Sequence, residues 1–145
     1  MWLVDVQDVW NRVRPIEEVL GTDLALRLLE RTQELLGDGA YWRANALAYT
    51  WDGMQCNPLS PKAYYFSLVG AAAKARWEMR EQLAEAEIDP AHMKQVMAAL
   101  SAVGQEHRHE GGWSFASAVL EGMRGALEDY RDQQVKDLKS SRNAA

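Results

Sequence analysis

Two histidines and the single cysteine are the side chains of this chain with the widest chemical capacity. His107 and His109 lie two residues apart in a polar segment, predicted to be a loop over 105–113, and Cys56 lies in another predicted loop. Imidazole and thiolate groups are common Zn²⁺ ligands, and a thiol served by a histidine can be a nucleophile. Their spacing matches no zinc signature, and nothing around Cys56 is typical of a cysteine hydrolase. We therefore keep His107, His109 and Cys56 as secondary metal candidates, with a small metal-binding protein or enzyme as an alternative function.

The rest of the sequence contains no arrangement typical of catalysis. It has no Gly-rich phosphate loop ahead of a helix, no Gly-x-Ser-x-Gly elbow and no His-Glu-x-x-His motif. Asp52 could form a carboxylate pair with Asp5 or Asp8, but nothing fixes their separation, and Asp52-Gly53 is typical of a turn. We therefore predict no catalytic residue and no cofactor, and we expect a non-enzymatic protein.

Aromatic side chains are concentrated in one segment of the chain. Seven of the 13 aromatic residues fall between positions 41 and 66: Tyr41, Trp42, Tyr49, Trp51, Tyr64, Tyr65 and Phe66. Such a segment must be buried or meet a partner, and Trp and Tyr are enriched at the centres of protein–protein contacts. Nucleobase stacking is disfavoured because few basic groups accompany these rings. The sequence therefore predicts a partner-binding face made of Trp42, Trp51, Tyr64, Tyr65 and Asp52, with a buried aromatic core as the competing interpretation.

The charge distribution indicates what kind of partner this face would meet. The chain carries 16 basic and 21 acidic side chains, and residues 1–60 hold 5 basic against 9 acidic ones. An acidic half argues against direct nucleic-acid binding, which needs Lys and Arg at phosphates, and it favours a partner with a basic surface. We expect a soluble, cytoplasmic protein, because the chain has one cysteine, no signal peptide pattern and no apolar run long enough to span a bilayer.

The spacing of apolar residues is helical almost throughout and predicts an all-α fold. We expect a compact single-domain bundle of five or six helices over residues 1–132, with 1–20 as an N-terminal helical extension and 133–145 as a polar, fraying tail. Pro15 is expected to end or kink the first helix. Ser60-Pro61 is typical of a helix start and predicts a central helix near 61–88. Residues 40–51 could be helical or extended.

The order of features over residues 22–128 resembles a known pattern. Its matching parts are the Leu-rich segment 24–36, Trp42, Ala46-Leu47-Ala48, Asp52-Gly53, Pro58, Ser60-Pro61, Ala63, Phe66 and Gly70-Ala71. This order is similar to that of a family of short, uncharacterised helical proteins of bacteria and phages. Members tend to carry Trp-Asn-Asp before the last helix, where this chain has Trp113-Ser114-Phe115, so no role of that pair is transferred.

The resemblance implies a helical fold in a bacterial or phage context and names no activity. By analogy with small acidic phage proteins, it implies a stoichiometric inhibitor of a host nucleic-acid-handling defence complex. A structural subunit that self-associates as a homodimer through the helix over 1–20 is a third interpretation.

Overall fold

A computed structural model describes residues 6–109 and 112–143 of the chain. Within these residues five α-helices are present: α1 (Val6–Leu36), α2 (Leu68–Glu78), α3 (Arg80–Glu85), α4 (Pro90–His109) and α5 (Trp113–Asn143). Three short strands lie between α1 and α2: β1 (Ala48–Thr50), β2 (Gln55–Cys56) and β3 (Ala63–Phe66). The expectation of a mainly helical chain is confirmed, whereas the all-α assignment is wrong because of this sheet.

The helix α1 is bent at a glycine. Val9, Val13 and Ile16 recur at helical spacing and are buried, so this face packs into the core. Pro15 lies inside the helix and does not end it; the non-helical residue is Gly21, at φ 77° and ψ 169°. A positive φ is easily adopted only by glycine, which explains why the bend falls there.

The three strands form an antiparallel sheet in the order β2-β1-β3. Ala48 at its centre pairs with Cys56 on one side and Phe66 on the other. The β1–β2 turn is closed by a hydrogen bond from the Thr50 amide to the Met54 carbonyl oxygen, at 2.7 Å, and Gly53 has φ 90°. The predicted Asp52-Gly53 turn is therefore confirmed, and the segment left open over 40–51 contains a strand rather than a helix.

The long central helix predicted near 61–88 is wrong. Ser60-Pro61 forms a turn, in which the Ala63 amide donates to the Ser60 carbonyl oxygen at 3.0 Å. Residues 63–66 then pair with β1, and α2 begins only after Ser67, whose side chain accepts from the Gly70 amide at 3.1 Å. Met79 separates α2 from α3. The predicted helix is thus a strand followed by two shorter helices.

The core lies between α1, α2, α4 and α5, and α1 contacts each of the other three. Its largest fully buried side chains are Ile16, Leu28, Leu29, Leu36, Leu68, Leu100, Leu120, Met123 and Leu127. The predicted self-association face of α1 is used here within the chain, and Trp10 also stacks on Tyr130 with ring centroids 5.2 Å apart. Self-association through residues 1–20 stays a prediction.

The C-terminal half departs from expectation at two helix ends. The helix α4 continues to His109, so the polar loop predicted over 105–113 is wrong as far as residue 109. The helix α5 runs through Asn143, across the segment for which fraying is predicted, and residues 131–140 are exposed. No helix in the described part of the chain is long and apolar enough to cross a membrane.

Candidate partner-binding surface

The β1–β2 turn, residues 51–54, is the hairpin tip and presents apolar side chains to solvent. Trp51 is 72% exposed and Met54 is 66% exposed, with Asp52 between them. The Thr50 hydroxyl donates to the Asp52 carboxylate and accepts from the Met54 amide at 3.1 Å. The turn is therefore hydrogen-bonded internally, and this backbone presents its apolar side chains to solvent.

Three tyrosines and one arginine form a second aromatic group, the tyrosine cluster: Tyr41, Tyr64, Tyr65 and Arg43. The Tyr64 ring meets Tyr41 at 5.2 Å and Tyr65 at 4.8 Å between centroids, both edge to face. The Arg43 guanidinium lies 3.9 Å from the Tyr65 ring centroid, a distance typical of a cation–π contact. The side chains of the cluster therefore contact one another directly.

The backbone explains why residues distant in sequence meet in this cluster. The Phe66 amide donates to the Tyr41 carbonyl oxygen at 2.7 Å, and the Arg43 amide donates to the Phe66 carbonyl oxygen at 3.0 Å. These bonds hold residues 41–43 against β3. Tyr65 also pairs with Tyr49 across the sheet, while Phe66 at the next position is buried. Strand alternation therefore directs Tyr65 away from the core that Phe66 enters.

Tyr64 keeps its proton at neutral pH. The pKa of its phenol is raised above the ordinary value, first by desolvation and then by the neighbouring Tyr41 and Tyr65. Its side chain is still 40% exposed. A neutral, half-exposed phenol can donate and accept hydrogen bonds at a contact while its ring covers apolar surface.

An acidic cleft of about 500 Å³ opens where α1 ends and α5 passes. Its charged lining consists of four carboxylates and one guanidinium: Glu30, Glu34, Asp38, Glu121 and Arg124. Arg124 is engaged inside the cleft, donating to the Gln33 side chain at 2.8 Å and pairing with Glu30 at 3.5 Å. The lining therefore keeps an excess of negative charge.

Gly37 joins the acidic cleft to the tyrosine cluster. It lines the cleft, and a Cβ added to it would lie 2.5 Å from the Tyr41 ring. Tyr41 in turn contacts Tyr64. Carboxylates and exposed aromatic rings are thus continuous over this part of the surface.

The predicted contact residues fall into three places. Tyr64 and Tyr65 lie together in the tyrosine cluster, and Trp51 and Asp52 lie together at the hairpin tip. Trp42 is half-buried against the core, with its ring 6.5 Å from that of Trp113. The structure therefore separates Trp42 from the exposed rings.

Sequence reasoning missed three residues of this surface: Tyr41, Arg43 and Met54. Tyr41 and Arg43 meet β3 through backbone pairing across more than twenty positions, and no local pattern indicates that pairing. The sequence does indicate an exposed position for Met54, because this residue directly follows the predicted Asp52-Gly53 turn.

Of the secondary metal candidates, only Cys56 has a side chain that the structure describes. Cys56 lies in β2, half-buried against the core and paired with Ala48. His107 and His109 belong to the last turns of α4, and their side chains lie outside the described residues. Among the side chains that are described, no group of three His, Cys, Asp or Glu could hold a metal ion.

Comparison with protein-family models, with curated proteins and with solved structures finds no match. The resemblance to short bacterial and phage proteins therefore stays a prediction.

Proposed function

We propose that this chain is a non-enzymatic protein-binding module that acts by covering a basic surface of its partner. The observation that carries the proposal is the junction at Gly37, where the acidic cleft meets the tyrosine cluster. Aromatic rings supply contact energy at the centre of an interface, and charges at its edge speed encounter and select the partner. Both elements lie side by side on this surface.

The contacts among the rings support the same proposal. Tyr41, Tyr64 and Tyr65 contact one another, and Arg43 covers the Tyr65 face. Side chains that are ordered before binding lose less conformational entropy on binding, so more of the contact energy appears as affinity. Trp51 and Met54 at the hairpin tip add apolar surface for a second contact.

We further propose that the partner surface is one that otherwise binds nucleic acid, in the manner of a phage-type stoichiometric inhibitor of a host defence complex. Surfaces that hold phosphates are rich in Lys and Arg. Asp38 and Glu121 would take the places of phosphate groups on such a surface, beside Glu30 and Glu34, which pair with Arg124 and Arg31 of this chain. The chain's net charge of −5 favours the same encounter.

Neutralising the cleft tests this proposal. The tagged chain and its Asp38→Asn, Glu121→Gln variant are used to capture partners from a bacterial lysate at 50 and 300 mM salt, with identification by mass spectrometry. We expect a nucleic-acid-binding protein that the chain retains at low salt, that the variant loses, and that added DNA displaces. Equal capture by chain and variant, or capture unaffected by DNA, would contradict the proposed surface. A Glu18→Gln, Asp132→Asn variant, which removes two negative charges at exposed positions outside the cleft, is the matched control.

A further inference from the structure

We propose that a groove formed by α2, α3 and the start of α4 binds an acidic, amphipathic helical segment of a partner protein. The groove has a volume of about 500 Å³. Its apolar lining includes Leu59, Trp77, Ile88 and Met93, and its charged lining is Arg76 and Arg80. We call it the arginine groove. It is lined by none of the residues of the acidic cleft, and the inference does not rest on the function proposed above.

The apolar lining of the arginine groove is accessible. Trp77 is 51% exposed and Leu59 is 44% exposed, while Met93 below them is buried. A half-exposed Trp beside other apolar side chains in a concave site is the kind of position at which protein contacts concentrate their energy. The groove therefore offers room and apolar area for two or three side chains of a partner.

Neither arginine of the groove is paired with a carboxylate among the described residues. The Arg80 guanidinium lies 4.4 Å from the Trp77 ring centroid and donates to the Trp77 carbonyl oxygen at 3.0 Å. Arg76 lies four positions earlier, on α2.

Two carboxylates near these arginines in sequence are engaged elsewhere, and Glu81, which directly follows Arg80, does not line the groove. Glu78 binds Arg31 of α1, with the shorter of two hydrogen bonds at 2.6 Å. The Asp89 carboxylate accepts from the Ala91 amide at 2.9 Å, at the start of α4. The lining of the arginine groove is therefore cationic in a chain whose net charge is −5.

Charge and spacing identify the occupant. Arg76 near the end of α2 and Arg80 at the start of α3 both line the groove, so we expect them to bind two carboxylates on one face of a facing helix, where residues three or four positions apart are neighbours. Arginine binds carboxylates through two parallel hydrogen bonds, and apolar residues at i, i+3 and i+4 of the same helix would fill the groove. A phosphate backbone would satisfy the arginines but would leave the apolar lining uncovered.

Two synthetic peptides test this inference on the full chain. The first carries Leu at i, i+3, i+4 and i+7 with flanking Glu residues, and the second has every Glu replaced by Lys. Binding is read from the ¹⁵N–¹H signal of the Trp77 indole, assigned with Trp77→Phe. We expect the Glu peptide to shift this signal saturably, with an affinity at least roughly tenfold above that of the Lys peptide.

Charge reversal completes the test. In an Arg76→Glu, Arg80→Glu chain we expect the Lys peptide to become the tighter ligand, while an Arg14→Glu, Arg27→Glu control with two exposed arginines keeps the original order. An unshifted indole, equal binding of both peptides or an unchanged order in the reversed chain would overturn the inference. So would a stronger response to a duplex oligonucleotide. If the chain alone self-associates, and if Arg80→Glu abolishes this self-association, the occupant of the groove is a second copy of the chain instead.

Discussion

Gly70 occupies the point where the first turn of α2 meets the chain at Leu47. A Cβ added to Gly70 would lie 1.7 Å from the Leu47 carbonyl oxygen, which is a backbone atom and cannot rotate away. The Ser67 amide also donates to that oxygen at 3.2 Å. Gly70 is therefore required for a close approach of two backbones, and this approach sets the sheet against α2.

We expect Gly70→Ala to lower the free energy of unfolding by about 3 kcal/mol, because either backbone must shift to admit the methyl group. Urea denaturation followed by circular dichroism measures this. Gly125→Ala is the matched control: nothing lies within 4 Å of its added Cβ, and it should be neutral or stabilising by up to about 1 kcal/mol. Equal effects of the two substitutions would contradict the close approach.

The ion pair between Arg31 and Glu78 ties α1 to α2. Its two hydrogen bonds measure 2.6 and 3.1 Å. The hydrogen bond from Arg31 lowers the pKa of the Glu78 carboxyl below its ordinary value, against an opposing effect of desolvation. A lowered pKa in the folded state means that the pair stabilises the fold above the ordinary glutamate range and that this contribution disappears as the pH falls through the folded-state pKa.

We expect Glu78→Gln to cost about 0.5–1 kcal/mol at pH 7, since both side chains are partly exposed and the pair is screened. The difference between chain and variant should shrink as the pH falls below about 4.3, the ordinary glutamate pKa. Parallel urea denaturation series at pH 7 and pH 3 measure it. A difference that persists undiminished at pH 3 would show that Glu78 acts through packing instead.

At the scale of elements, the helices were largely predictable and the sheet was not. The faces of α1, α4 and α5 follow from apolar residues at helical spacing, such as Val9, Val13 and Ile16. The strand β3 has four residues and gains its pairing from Ala48 and Tyr49, which are distant in sequence. Short strands carry little period-2 signal, so the sequence pattern at Ser60-Pro61 predicts the start of a helix instead.

The proposed binding surface was predictable in composition but not in arrangement. The concentration of aromatics over 41–66 identified the segment, and Trp51 at the Asp52-Gly53 turn is exposed. The sequence pattern predicts Trp42 in the same face, because a linear sequence does not distinguish an exposed ring from a ring that packs on the core. The acidic cleft lies between α1 and α5 and includes Glu121. Glu121 is outside the N-terminal half that the charge count identifies as acidic.

The start of α2 can be tested directly. We expect Ser67→Ala to lower the free energy of unfolding by about 1 kcal/mol, because its side chain caps the helix through the Gly70 amide. Ser60→Ala should cost less, since the Ser60 hydroxyl supports only a turn through the Lys62 amide at 3.2 Å. Thermal or urea denaturation of the two variants measures the loss of stability at each position. A larger cost at Ser60 would restore the helix start at Ser60-Pro61.

At the scale of the whole molecule, the acidic cleft and the arginine groove are separate surfaces of opposite charge. The acidic cleft is continuous with the tyrosine cluster, whereas the arginine groove carries two guanidiniums on apolar lining. Charge sorted in this way selects partners by sign, because like charges facing across an interface are costly. A module with two such surfaces could hold a basic partner and an acidic one at the same time.

Affinity capture from a bacterial lysate decides whether the exposed aromatics bind a protein partner. The tagged chain is compared with Trp51→Ala, Tyr64→Ala, and with Val135→Ala, Leu138→Ala, which removes exposed apolar side chains from α5. All three must first show the same thermal melt, as expected for exposed positions. We predict that the chain and the α5 variant retain the same protein complex and that the Trp51, Tyr64 variant loses it. Retention of that complex by the Trp51, Tyr64 variant, or no capture by any chain, would contradict the account.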